Sequence, residues 1–168
     1  MRVGIAGYGV VGKTRHISIE KNTSFQIIAV SESNQETQKD IPTGIEIFDT
    51  YQDLIADAEL DIIFISLPNK FAAEATSLSL QKGLHVFCEK PPAKTLSELI
   101  SVQDTLSKHP NLKLMYGFNH RFHLSVEEAK SIIDKNTLGK IINMKGVYGK
   151  SQMISFNQTD WRTKREES

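Results

Sequence analysis

One glycine-spaced turn constrains this chain more than any other feature. Gly7-Tyr8-Gly9-Val10-Val11-Gly12 stands between a short apolar run, Val3–Ala6, and a helix-like stretch, Val10–Lys21. In that setting each glycine has a separate job. Gly7 allows the tight turn, Gly9 lets the backbone approach a pyrophosphate, and Gly12 lets helix and strand pack closely. The backbone N–H groups at the helix start, at Val10 and Val11, together with the helix dipole, favour an anion. About twenty residues after Gly12, Glu32 closes the second apolar run, where a carboxylate accepts hydrogen bonds from adenosine ribose hydroxyls. A carboxylate repels a 2′-phosphate, so the pattern favours NAD over NADP. The plainer reading is a glycine turn of some other doubly wound fold, with Glu32 as a solvated strand end.

The rest of the chain supplies the sheet this turn requires. Apolar runs at Phe25–Val30, Ile45–Phe48, Ile62–Ile65, His85–Cys88 and Leu112–Met115 are short and unbroken. Such runs suit strands covered on both faces. Helix-like stretches at Tyr51–Ala58, Phe71–Lys82 and Leu96–Lys108 separate them. The last carries a start signal, because Thr95 and Glu98 can each satisfy a free N–H of the first turn. The alternation predicts an α/β doubly wound parallel sheet, the Rossmann arrangement, over residues 1–118.

Bulk properties exclude several functions. Lysine plus arginine and aspartate plus glutamate both number 20, which gives no electrostatic argument for nucleic acid or an anionic membrane. No segment reaches the roughly 20 apolar residues that span a bilayer. The N-terminus enters a strand directly, without a signal peptide's apolar centre. Cys88 has no internal partner, since it is the one cysteine, and a reducing compartment is its simplest home. These features predict a soluble cytoplasmic protein with a small-molecule partner.

Two further segments fall at predicted strand ends, where open parallel sheets bind ligands. Ser66-Leu67-Pro68-Asn69 follows the fourth run. Pro68 stops the strand, and Asn69 either caps the next helix or touches the cofactor. Glu89-Lys90-Pro91-Pro92 follows the fifth. Pro91 biases Lys90 toward an extended backbone, at the mouth of the crevice where a nicotinamide belongs. An ammonium there stabilises the alkoxide that forms as a carbinol loses hydride and proton. A surface lysine before a turn is the bland alternative, and the position after a fifth strand argues against it.

Taken together, the glycine turn, Pro68-Asn69, Glu89-Lys90-Pro91 and the later Asn119-His120-Arg121-Phe122 resemble the glucose–fructose oxidoreductase and inositol dehydrogenase (Gfo/Idh/MocA) family. The resemblance runs from Met1 to at least Lys150. It implies an NAD- or NADP-dependent oxidoreductase of sugars, cyclitols or sugar derivatives, with Lys90 as the catalytic lysine. It implies cofactor contacts at Pro68, Asn69, Glu89 and Lys90, and substrate-side roles for Lys90, Asn119 and Arg121. The chain departs from the family in two places. Lys70-Phe71-Ala72-Ala73-Glu74 lacks the histidine that family members often carry there. The family's acid–base histidine follows a Trp-Arg region, and this sequence stops shortly after Trp161-Arg162. The 168-residue chain is therefore expected to bind NAD and turn over poorly by itself. A nucleotide-binding module without turnover, or a subunit completed by another chain, is the rival reading. A sugar-binding regulator that kept the fold is a third.

After about Met115 the pattern changes, and residues 119–168 read as the beginning of a second, α+β domain. A helix is expected near Val126–Lys135. Ile141–Lys150 reads as a single strand with Ile142, Met144 and Tyr148 on one apolar face. Its partner strands would lie beyond Ser168, on another chain, or nowhere. His120 and His123 are three apart, but no third ligand has supporting spacing, so no metal is expected. His16 and His109 have no partner evident in sequence. Cys88 reads as inert packing.

Overall fold

The computed structural model describes residues 1–147 and Gly149. The described chain divides into two compact units, one comprising Met1–Gly117 and the other opening at Phe118.

In the first unit, six strands form one parallel sheet: β1 (Arg2–Ala6), β2 (Gln26–Ser31), β3 (Glu46–Phe48), β4 (Ile62–Ile65), β5 (His85–Cys88) and β6 (Leu114–Tyr116). Their spatial order is β3-β2-β1-β4-β5-β6. The order reverses between β1 and β4, and a crevice opens there at the carboxyl ends of the strands. The helices are α1 (Val10–Glu20), α2 (Gln35–Gln38), α3 (Tyr51–Asp57), α4 (Asn69–Gln81) and α5 (Leu96–Ser107). Both sheet faces are covered, which is why the strands read as unbroken apolar runs. One core gathers Leu54, Ile63, Ile65, Leu80, Val86 and Val102, and the other Val3, Ile5, Tyr8, Ile19 and Val30. The capping box at the start of α5 is formed. Thr95 Oγ1 accepts from the Glu98 N–H, and the Glu98 carboxylate accepts from the N–H groups of Thr95 and Lys94.

His16 corrects the sequence reading, which found it no partner. It is 4% exposed. Its Nδ1 lies 2.9 Å from the Tyr8 hydroxyl and its Nε2 3.2 Å from Glu20 Oε1. A neutral ring with hydrogen on Nε2 satisfies both contacts: Tyr8 donates to Nδ1 and Nε2–H donates to Glu20. This chain ties the glycine turn to the middle of α1. Tyr8→Phe would leave Nδ1 buried without a donor. Denaturant unfolding should show a loss of about 1–3 kcal/mol, the range for an unsatisfied buried acceptor. An unchanged unfolding midpoint and slope would show that the bond contributes nothing net.

The second unit contains a short 3-10 turn, Asn119–Phe122, followed by α6 (Leu124–Asp134). Residues 141–147 form no strand, contrary to the reading of Ile141–Lys150. Ile142 and Met144 are 95% and 71% exposed. Tyr148 and Lys150 lie outside the described residues, as do Trp161 and Arg162. Period-two alternation reports which side chains share a face, but a strand also needs a neighbour to accept its backbone hydrogen bonds. Among the described residues this segment has none. Among those residues also, no helix is long and apolar enough to cross a membrane.

Candidate cofactor site

Segments far apart in sequence converge at the carboxyl ends of β1, β4 and β5. In the turn after β1, Gly7 has φ 86°, a conformation open to glycine without strain. A Cβ on Gly12 would stand 2.1 Å from the Gly7 carbonyl oxygen, so only glycine lets α1 lie this close to the turn. Gly9 is different. Nothing lies within 4 Å of its Cβ position, and the space beside the loop is open. No side chain caps the start of α1, and its first turn carries no carboxylate. The helix dipole there favours an anion without competition from a local acid.

Two clefts meet at this turn. The first, about 450 Å³, is lined by Gly9, Val10 and Val11, by the Ser66–Asn69 segment, and by Glu89, Lys90 and Pro91. The second, about 460 Å³, is lined by Gly7, Glu32, Tyr51, Phe71 and their neighbours, and shares Gly9, Ser66, Leu67 and Pro68 with the first. Each lies in the range of roughly 300–1,000 Å³ usual for ligand sites. Gly12 lines neither cleft and supports the turn from beneath.

Glu32 is held by the backbone. Its Oε2 accepts from the Tyr8 N–H and its Oε1 from the Asn34 N–H, each at 2.9 Å. Every carboxylate oxygen has a second lone pair, so Glu32 can still accept from hydroxyl donors in the second cleft. Burial, then neighbouring Glu74, push the Tyr51 phenol up to about 12, so that cleft's wall stays neutral there at ordinary pH.

Asn69 resolves one alternative. It is the first residue of α4 rather than its cap; Pro68 occupies the cap position, and no side-chain cap bond is present. Of the two roles left open for Asn69, capping is not played. A proline at the cap leaves Asn69 at the first helical position, one residue past the position whose side chain accepts from the free N–H groups.

Lys90 is exposed, makes no ion pair or hydrogen bond among the described residues, and lines the first cleft together with the glycine turn. Glu89 behaves differently. Its carboxylate is 15% exposed and is paired with Arg15 from α1, a residue that sequence reading passed over. Burial pushes the Cys88 thiol up to about 11, which keeps it protonated and unreactive. Asn119 and Arg121 lie in the 3-10 turn of the second unit, both exposed. His123 Nδ1 is 2.9 Å from Ser125 Oγ. Among the described residues, no group of three or more His, Cys, Asp or Glu side chains could hold a metal ion.

The open space at Gly9, the uncapped start of α1 and the ribose-competent Glu32 fit a dinucleotide. So does the buried Ser66 Oγ, which has no hydrogen-bond partner among the described residues although Ser66 lines both clefts.

Comparison with known proteins decides the relationship. The profile of an oxidoreductase family with an NAD-binding Rossmann fold, GFO_IDH_MocA, matches residues 1–118. The chain belongs to this family. It is 30% identical over 145 residues to D-glucoside 3-dehydrogenase of Escherichia coli (strain K12), covering 84% of this chain and 41% of that protein. It is also 30% identical over 145 residues to D-xylose 1-dehydrogenase (NADP(+)) 2 of Haloferax volcanii, covering 84% and 43%. Among solved structures, it is similar to scyllo-inositol dehydrogenase from Lactobacillus casei with bound NAD(H) and scyllo-inositol. That likeness has a TM-score of 0.77 at 29% identity, covering 83% of this chain and 42% of that one. The chain thus spans less than half the length of these relatives.

Proposed function

We propose that this chain is the cofactor-binding portion of an NAD-dependent dehydrogenase acting on a hydroxyl or ketone of a sugar, cyclitol or sugar derivative. The observation that carries the reading is that one cleft is lined by the glycine turn and by Lys90. When bound, NAD supplies a hydride acceptor that the chain's own side chains lack. The remaining work belongs to residues of the chain. The turn from Gly7 to Gly12 seats the pyrophosphate against the start of α1. Glu32 accepts the adenosine ribose hydroxyls. Pro68, Asn69 and Glu89 line the approach to Lys90, whose ammonium stabilises negative charge developing on the substrate oxygen. Asn119 and Arg121 are assigned to the substrate side, in a second domain running from residue 119. The names of the similar proteins, a glucoside, a xylose and an inositol dehydrogenase, support the substrate class. The thiol of Cys88, buried and unpaired, suits a reducing compartment such as the cytoplasm.

The choice of NAD over NADP rests on Glu32. Its carboxylate faces the second cleft, and a 2′-phosphate beside it would set two anions together, a juxtaposition worth several kcal/mol. Fluorescence titration of the chain should show NADH binding at least about tenfold tighter than NADPH. Glu32→Ala should narrow that gap. Equal affinities in the unmutated chain would remove the preference and the role of Glu32 with it.

A further inference from the structure

Arg15 lines neither cleft, yet its side chain runs from α1 to the turn that carries Lys90. Its Nε donates to Glu89 Oε1 at 2.7 Å, and its Nη2 donates to the same oxygen. The guanidinium lies over the Phe87 ring, 4.9 Å from the centroid, and Phe87 stacks on Phe64. Only a planar cation can present a face to a ring and an edge to a carboxylate in this way. The other Glu89 oxygen is walled by Gly117, where a Cβ would stand 2.8 Å from it. Glu89 is also anchored through its backbone, its N–H donating to Ile65 at 2.9 Å. The carboxylate is thus held between Arg15 and Gly117, 15% exposed, and it helps to line the first cleft.

An enclosed carboxylate without its partner is an uncompensated buried charge. The adjoining cation along the chain is Lys90. If Arg15 were lost, Glu89 would either draw in that ammonium or add a negative charge beside a cleft meant for an anionic cofactor. We propose that Arg15 is a positioning residue of the cofactor site: by holding Glu89 in the ion pair, it leaves Lys90 unpaired in the cleft and the cleft free of negative charge. This rests on the reading of the clefts as an NAD site.

The test is NADH titration of the 168-residue chain and three variants, each checked for folding by circular dichroism and thermal unfolding. Arg15→Met should weaken NADH binding on the order of tenfold, the size of one added charge acting at partly screened range. Arg15→Met with Glu89→Gln should bind NADH several-fold tighter than Arg15→Met alone, because the unpaired charge is gone. A purely structural role for Arg15 predicts no such recovery. Arg15→Lys gives up the planar contact with Phe87 but keeps the charge that offsets Glu89, so its loss of affinity should be smaller than that of Arg15→Met, which covers the case in which Arg15→Met fails to fold. Unchanged affinity in Arg15→Met, a double variant as weak as Arg15→Met, or a tenfold loss in a folded Arg15→Lys overturns the proposal. Failure of the unmutated chain to bind NADH overturns both the proposal and the cofactor reading beneath it.

Discussion

Gly12→Ala is expected to lower the stability of the chain by roughly 2–4 kcal/mol, at or above the upper end for overpacking, because what it strikes is backbone. The added Cβ would stand 2.1 Å from the Gly7 carbonyl oxygen and 3.0 Å from its carbon. Neither atom can swing aside. Gly7 is fixed by its N–H bond to Ser31 and by its positive φ. Relief must come from moving α1 off the sheet, which opens the core around Ile5 and Ile19. Gly9→Ala makes the contrast. Its Cβ meets nothing within 4 Å, so stability should change by no more than about 0.5 kcal/mol. Its new methyl instead occupies the open space proposed for the pyrophosphate, and NADH affinity should fall. Chemical unfolding and NADH titration on the two variants separate the roles. Equal destabilisation by both would mean that the turn tolerates or resists a methyl regardless of position.

The sheet was legible because its strands are covered on both faces. Ile62–Ile65 and His85–Cys88 stand as strands where the apolar runs ended. At β2 and β6 the limits moved by a residue or two, since strand ends are set by pairing rather than by hydrophobicity. The short helix α2 was not foreseen. Its residues Gln35–Gln38 are polar and have no apolar period; only Asn34, whose side chain accepts from Glu36 and Thr37, marks its start. The site was legible in part. Glycine spacing, Glu32 and Lys90 are local signals. Arg15 was not, because its partner lies 74 positions away and nothing in either neighbourhood announces the pair. His16 hid for a related reason: its bond to Tyr8 exists only once the turn brings α1 back across β1. The i, i+4 spacing to Glu20 was the one available hint.

Lys90 carries the largest functional expectation. In a protein where this domain is followed by a complete second domain of the family type, Lys90→Ala should lower kcat on the order of a hundredfold or more, the usual cost of removing one preorganised charge contact. NADH affinity should fall far less, by no more than about tenfold for one charge lost from the cleft, because the pyrophosphate and ribose are assigned to the glycine turn and Glu32. The split follows from geometry. Lys90 lines the first cleft from the turn after β5, whereas the second cleft, with Glu32, does not include it. The 168-residue chain alone, which spans less than half the length of its relatives, should bind NADH and turn over sugars or cyclitols poorly. Robust turnover that survives Lys90→Ala would remove the lysine from the chemistry. A large loss of NADH affinity with kcat unchanged would instead make Lys90 a phosphate contact, and the reacting end of the cofactor would then have to lie elsewhere along the crevice.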